Sequence, residues 1–260
     1  MIKLSLIIHP EFEKLKNKLS DLIFEYQELT LHICPNIERE YLLNFGLLEH
    51  DLYKRDVELS ILKRKLSLFY IQINSQDEVN LDLIDEALKE EFLEYEHNIK
   101  LQMEELDELI GDKKFHKLSK KNAKRLKSLY KECVLKLHPD LHPDQSDYRK
   151  KLFIQITEAF QMGNLDALES LYYFIPNKNI GPELDLKSEV ERLNELIVYN
   201  EIEIAKVKKR YPYNKKDMLS GECNINRYKL MLKNLIIQFD EDILSYKNRI
   251  SDLYGKYSKN

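Results

Sequence analysis

The sequence contains no tryptophan, six glycines and seven prolines in 260 residues. Turn-rich β proteins use more glycine and proline than this, so the composition disfavours that class. The three cysteines, Cys34, Cys133 and Cys223, lie far apart and form no CxxC pair. A reduced cytosolic setting is the simplest interpretation of that spacing.

Long apolar runs are also absent. No stretch approaches the ~20 consecutive apolar residues that a membrane-spanning helix needs. The N-terminal "MIKLSLIIHP" is followed at once by the charged "EFEKLK", so its apolar run is too short for the core of a secretory signal. A net charge of only −4 points neither to nucleic acid nor to an anionic membrane. We therefore expect a cytoplasmic protein with no membrane partner.

Leucine, isoleucine, lysine and glutamate dominate instead, and apolar residues recur at spacings of three and four almost throughout. This pattern predicts an all-α protein. In the first 112 residues it predicts three long coiled-coil-like helices. The second should open at Pro35 and stop near Ser75, and the third should end at Gly111. Two further helices near the C-terminus, joined by "RYPYNKKDMLSG", are expected to fold back as a hairpin.

A sharp change of charge marks the end of the N-terminal region. Residues 77–112 hold fourteen acidic residues and two lysines, whereas residues 113–136 hold ten Lys or Arg and one Glu. Such a boundary indicates a change of module, and "PNKNIGPELD" has the composition of a linker. The sequence therefore predicts a helical region over 1–112, a central domain over 113–176 and a helical hairpin over 177–260.

The central region contains "VLKLHPDLHPDQ", in which His-Pro-Asp occurs twice. The preceding "NAKRLKSLYKECVLKL" predicts a helix with one apolar face and, on another face, a basic stripe. Pro139 cannot continue that helix and pushes His138 towards extended geometry. The following "SDYRKKLFIQITEAFQ" predicts a second amphipathic helix. The expected architecture is an antiparallel helix pair with an exposed loop at its tip. The stripe consists of Lys120, Lys124, Lys127 and Lys131.

These residues resemble a J domain, the module of DnaJ-type co-chaperones. In that family a basic helix with a pattern like Y-R-K-L-x-x-K-Y-H-P-D leads into an HPD loop, and a helix with F-x-x-I-x-x-A-Y follows. Here the first pattern reads "YKECVLKLHPD" and the second reads "FIQITEAF". The resemblance covers roughly residues 119 to 175. The regions around it are similar to those of an uncharacterised group of bacterial J-domain proteins.

The resemblance implies docking on a DnaK-type chaperone and stimulation of the ATP hydrolysis that the chaperone carries out. It implies that the HPD loop contacts the partner and that the basic helix meets an acidic surface. The flanking helices would then select a client, a location or a dimer partner. We expect no enzymatic activity of the chain's own, no cofactor and no metal. The candidate chaperone-binding residues are His138, Pro139, Asp140, Lys124, Lys127, Lys131 and Lys136.

Other interpretations stay open. His138, Asp140, His142 and Asp144 are potential metal ligands, but an exposed loop is poorly preorganised for a metal. The basic helix could contact nucleic acid, although the neighbouring acidic helix disfavours this. The acidic segment 77–112 could instead fold over Lys124, Lys127 and Lys131 and compete with the chaperone. The chain could also be a structural scaffold whose J-like segment engages no chaperone.

Overall fold

The computed structural model describes residues 10–75, 80–111, 118–176 and 186–257. These residues form helices, turns and short connections, and none of them lies in a β-strand. The predicted all-α class is therefore confirmed. Within the same ranges, no helix combines the length and the apolar content that crossing a membrane requires.

The N-terminal part is helical without interruption from Pro10 to Asn74, and this corrects the predicted break at Pro35. At Leu29–Ile33 the chain widens into a π-helical turn, in which the amide of Cys34 donates to the carbonyl of Leu29. Proline has no N–H group and its ring crowds the preceding turn; a π turn is one way in which a helix absorbs such a defect. The elements are α1 (Pro10–Glu28), a π turn (Leu29–Ile33), α2 (Cys34–Tyr41), a second π turn (Leu42–Gly46) and α3 (Leu47–Asn74).

The remaining helices follow the sequence pattern closely. Ser75 ends α3 and Gly111 ends α4, as predicted. The expected linker over 176–185 lies outside the described residues except for Pro176. The helices are α4 (Leu81–Gly111), α5 (Lys120–Leu137), α6 (Asp147–Gln161), α7 (Leu165–Tyr172), α8 (Leu186–Lys209) and α9 (Glu222–Tyr257), with a 3₁₀ segment at Tyr213–Leu219.

The chain divides into two compact units, each built from two separate stretches. One unit takes residues 1–38 and 115–214, and the other takes residues 39–114 and 215–260. We call them the loop unit and the three-helix unit. Neither corresponds to one of the three consecutive regions that the sequence pattern suggested.

In the loop unit, α5 packs against α6 and α7, while α1 packs along both α5 and α8. Its core centres on two fully buried rings, Tyr130 and Phe160, which stack with centroids 3.8 Å apart. Leu19 and Ile23 of α1 are buried in the same core as Leu193 of α8. The loop between α5 and α6 is thus held by a core to which helices distant in sequence contribute.

In the three-helix unit, α3 lies between α4 and α9. α4 runs antiparallel to α3, since Lys65 pairs with Asp85 while Gly46 meets Leu106. α9 runs parallel to α3, and near its start the carboxylate of Glu49 accepts hydrogen bonds from the hydroxyls of Tyr41 and Tyr228.

The two C-terminal helices do not share a unit. α8 packs on α1 and α9 packs on α3, whereas the sequence pattern paired them as a hairpin. Both helices have a long apolar face, and the periodicity of apolar residues alone does not show which other helix that face packs against.

Candidate functional site

The helix that leads into the His-Pro-Asp loop has well-defined ends. Its N-cap is Ser119, whose hydroxyl accepts a hydrogen bond from the amide of Asn122. It ends at Leu137 because Pro139 disfavours helical geometry at the residue before it. His138 accordingly has an extended conformation, with φ −64° and ψ 132°. The predicted boundary between helix and loop is thus found where the sequence placed it.

Backbone hydrogen bonds fold the loop into consecutive turns. The carbonyl of His138 accepts from the amides of Leu141 and His142, each at 3.0 Å. The amide of Gln145 donates to the carbonyl of His142 at 3.2 Å. The side chain of Leu141 is buried in the core and anchors the middle of the loop. The loop is therefore preorganised, which limits the entropy that docking would cost.

The two histidines of the loop play internal roles. The ring of His138 packs edge-on against Phe153, with centroids 5.2 Å apart, and its Nδ1 accepts the amide of Asp140 at 3.1 Å. The Nε2 of His142 donates to the carbonyl of Leu135 at 2.9 Å, since a carbonyl can only accept. Burial lowers the pKa of both rings, so both are neutral near pH 7.

Two of the three residues between the histidines, Pro139 and Asp140, are accessible to solvent. Pro139 is exposed and the Asp140 side chain is 42% exposed. The Asp140 carboxylate lies 3.9 Å from Nδ1 of the neutral His138 ring and has no ion pair with a Lys or Arg of the described residues. In the second His-Pro-Asp block, Pro143 and Asp144 are also exposed. The loop therefore presents carboxylates outwards on a backbone held from within, an arrangement suited to receiving a cation from another molecule.

The four predicted docking lysines do not form one surface. Lys136 lies beside the loop, where its ammonium group donates to the hydroxyl of Tyr172 at 2.6 Å. Lys124 is exposed three turns earlier, about 18 Å away along the axis, and has no ion-pair partner in the described part of the chain. Lys127 pairs with Glu28 of α1, and Lys131 pairs with Asp21 of α1 at 2.8 Å.

These ion pairs differ from those of the hypothesis in which the acidic segment 77–112 folds over Lys124, Lys127 and Lys131. The acidic partners of Lys127 and Lys131 come from α1, where Asp21 and Glu28 lie seven residues apart on one face. The acidic helix α4 packs along α3, where Glu91 pairs with Arg64 at 3.0 Å. Composition identified an acidic helix correctly, but it could not say which acidic residues meet the lysines.

Sequence reasoning also missed two arginines of the loop unit. Arg149 occupies a position on the apolar face of α6, in step with Phe153 and Phe160, and it is only 7% exposed. The sequence did contain a signal for Arg149, because a charged residue stands at a position of the apolar face of α6. Arg192 of α8 pairs with Glu189; this hydrogen bond raises its pKa, and the charges of Asp140 and Asp144 raise it further. No local pattern connects Arg192 with the loop.

Within the described ranges, no three His, Cys, Asp or Glu side chains stand close enough together to hold a metal ion. His138 and His142 use the ring nitrogens described above for bonds to the backbone.

Comparison of the chain with models of protein families, with curated proteins and with solved structures finds no match.

Proposed function

We propose that this protein is a J-domain-like co-chaperone that docks on a DnaK-type chaperone and accelerates the hydrolysis of ATP bound by that chaperone. The observation that carries the proposal is the loop between α5 and α6, which holds Pro139 and Asp140 exposed on a hydrogen-bonded turn. An exposed carboxylate on a preorganised loop can take a bidentate arginine from a partner. The three free cysteines fit a cytoplasmic location.

In this proposal the loop and Lys136 form the docking surface, and Lys124, about 18 Å away along α5, attracts the partner from a separate position. Lys136 lies in the last turn of α5, and its ammonium group is oriented by Tyr172. Lys127 and Lys131 contribute less, because each is already paired with an acid of α1. Lysines that approach an acidic surface speed association and make it sensitive to salt.

The test is single-turnover ATP hydrolysis by a purified DnaK-type chaperone with increasing amounts of the full-length protein. We expect a saturable acceleration that weakens between low and physiological ionic strength, because exposed charges are screened. Circular dichroism of the same preparation reports whether the helices are intact. An unchanged hydrolysis rate with a helical protein in large excess over the chaperone would reject the proposal.

That negative result would favour a second candidate function, a helical scaffold whose loop engages no chaperone. One observation supports this alternative. α1 lies along the basic face of α5 and contributes the fully buried Leu19 to the shared core, so part of that face is permanently occupied. The scaffold would use the helices of the three-helix unit to contact a client protein or a second copy of the chain.

The ion pairs of α1 yield a prediction about the strength of docking. Replacing Asp21 by Asn and Glu28 by Gln together releases Lys131 and Lys127 while the packing of α1 is kept. Surface ion pairs contribute about 0.2–1 kcal/mol each; the Asp21 side chain is exposed, whereas that of Glu28 is only 18% exposed. We therefore expect the concentration for half-maximal stimulation to fall about two- to thirtyfold at low salt.

The matched control for this double variant is Glu201→Gln, which breaks the 2.8 Å pair between Lys18 and Glu201 on α1 and α8. That pair involves no lysine of α5, so the control should leave the half-maximal concentration unchanged. Equal effects of the control and the double variant would show that the charges act on the stability of α1 and not on docking.

A further inference from the structure

Arg149 is a buried cation, and no acidic side chain in the described part of the chain pairs with it. Its guanidinium donates to two backbone carbonyls, that of Lys136 at the end of α5 and that of Pro176 after α7. Its Nε atom is shielded from solvent and makes no hydrogen bond to any residue that the structure describes. Burial lowers the pKa of this arginine, and no described carboxylate opposes the shift. Buried charges in proteins are ordinarily paired with an opposite charge or bound to an ion.

The same arginine lines an open cavity of about 490 Å³. The cavity lies between the last turn of α5, the loop and the end of α7. Its wall includes Lys136, His142, Tyr172 and Tyr173, and no aspartate or glutamate is among the residues that line it within the described part of the chain. A volume of this size is in the range of small-molecule sites.

Among the described residues that line the cavity, two carry a positive charge and none carries a negative charge. Arg149 contributes one and Lys136 the other, while burial keeps His142 neutral near pH 7. Glu132 does not line the cavity, but it is linked to Lys136 through Tyr172, whose hydroxyl accepts from the ammonium group and donates to the Glu132 carboxylate at 2.7 Å. The wall also supplies aromatic surface, since Tyr173 is 86% exposed.

We propose that this cavity binds the phosphate group of a small organic phosphate. A phosphate monoester carries about −1.5 to −2 charges at pH 7, which matches the excess of positive charge on the wall. Arginine and lysine are the side chains that proteins use for phosphate. Lys136 approaches from the solvent side, Arg149 supplies the buried charge and Tyr173 provides a surface for the organic part of the ligand. Binding of phosphate in this cavity does not require that the protein docks on a chaperone.

Calorimetric titration of the full-length protein with inorganic phosphate, and separately with glycerol phosphate, tests the proposal. We expect one saturable site per chain for both probes, with a Kd on the order of 1 mM or below. Lys136→Gln should weaken binding of both probes at least tenfold, because it removes one of the two positive charges that line the cavity. The variant should keep its fold, because the Lys136 side chain is exposed and lies outside the core. Lys150→Gln, which removes an exposed lysine of α6 that does not line the cavity, should leave binding unchanged.

Three results would overturn the phosphate site. They are the absence of saturable binding, an affinity for acetate equal to that for phosphate, and binding that Lys136→Gln and Lys150→Gln weaken equally. Arg149→Lys provides a second variant that keeps the charge but loses the planar fork, and we expect it to weaken binding. Circular dichroism and the thermal midpoint identify a variant that has lost its fold, and in that case the Lys136→Gln result decides.

Discussion

Replacing Asp140 by Asn is expected to remove most of the acceleration of ATP hydrolysis that the proposed function predicts. The change keeps the shape of the side chain and removes its charge. The loop should keep its conformation, because Asp140 contributes its backbone amide to the bond with His138. A charge-assisted hydrogen bond contributes about 1.5–3 kcal/mol. The concentration for half-maximal stimulation should therefore rise about 10- to 100-fold in the single-turnover assay.

The second His-Pro-Asp block provides the matched control. Asp144 is exposed in the same loop, four residues further on, so Asp144→Asn removes an equal charge from nearly the same place. It should change the half-maximal concentration much less than Asp140→Asn. If the two variants were equally impaired, only the total charge of the loop would matter, and a specific role of Asp140 would be refuted. His138→Gln is a less selective variant, because it also removes the packing of the ring on Phe153.

Phe160→Ala is expected to destabilise the loop unit by about 3–5 kcal/mol, the usual cost of deleting a fully buried aromatic side chain. The Phe160 ring stacks on Tyr130 and meets the edge of His32, with centroids 3.8 and 4.3 Å away. Its loss leaves a cavity shared by α1, α5 and α6, which these helices can fill only partly. The free energy of unfolding in urea, followed by circular dichroism, measures the effect.

The control for this variant is Ile154→Ala on the same helix. Ile154 is 57% exposed, so its truncation should change the free energy of unfolding by less than about 0.5 kcal/mol. A similar small change in Phe160→Ala would show that the stacked rings are not the centre of this core. Because the chain has two compact units, the urea transition need not be a single step, and each variant is best compared with the wild type at the transition it affects.

Much of the local structure could be predicted from the sequence because its causes are local. Pro139 ends α5 through the geometry of one residue, and the apolar spacing of Phe153, Ile156 and Phe160 sets the inner face of α6. The exposure of Asp140 and the burial of Leu137 follow from the same two patterns. Pro35 is the instructive exception, because a π-helical turn allows the chain to stay helical where a break was predicted.

The partners across the fold could not be predicted in the same way. Lys127 and Lys131 meet acids about a hundred positions away, and nothing near them distinguishes Glu28 from the many glutamates of α4. Arg149 is predictable as an anomaly in an apolar stripe, but its carbonyl partners depend on how α5 and α7 end. Such pairings depend on which helix packs its apolar face against which other helix, and many helices of this chain have similar apolar faces.

The loop unit is built from two stretches that are far apart in the sequence, and this separation affects its synthesis on the ribosome. Leu19 and Ile23 are translated before the two helices that cover them, which begin at residues 120 and 186. At ~5–20 residues per second, translation needs on the order of 5–20 s to advance the hundred residues from α1 to α5. During that interval α5 and α8, the partners of α1 in the core, have not been made. A protein proposed to serve chaperones would itself need protection while it is being made.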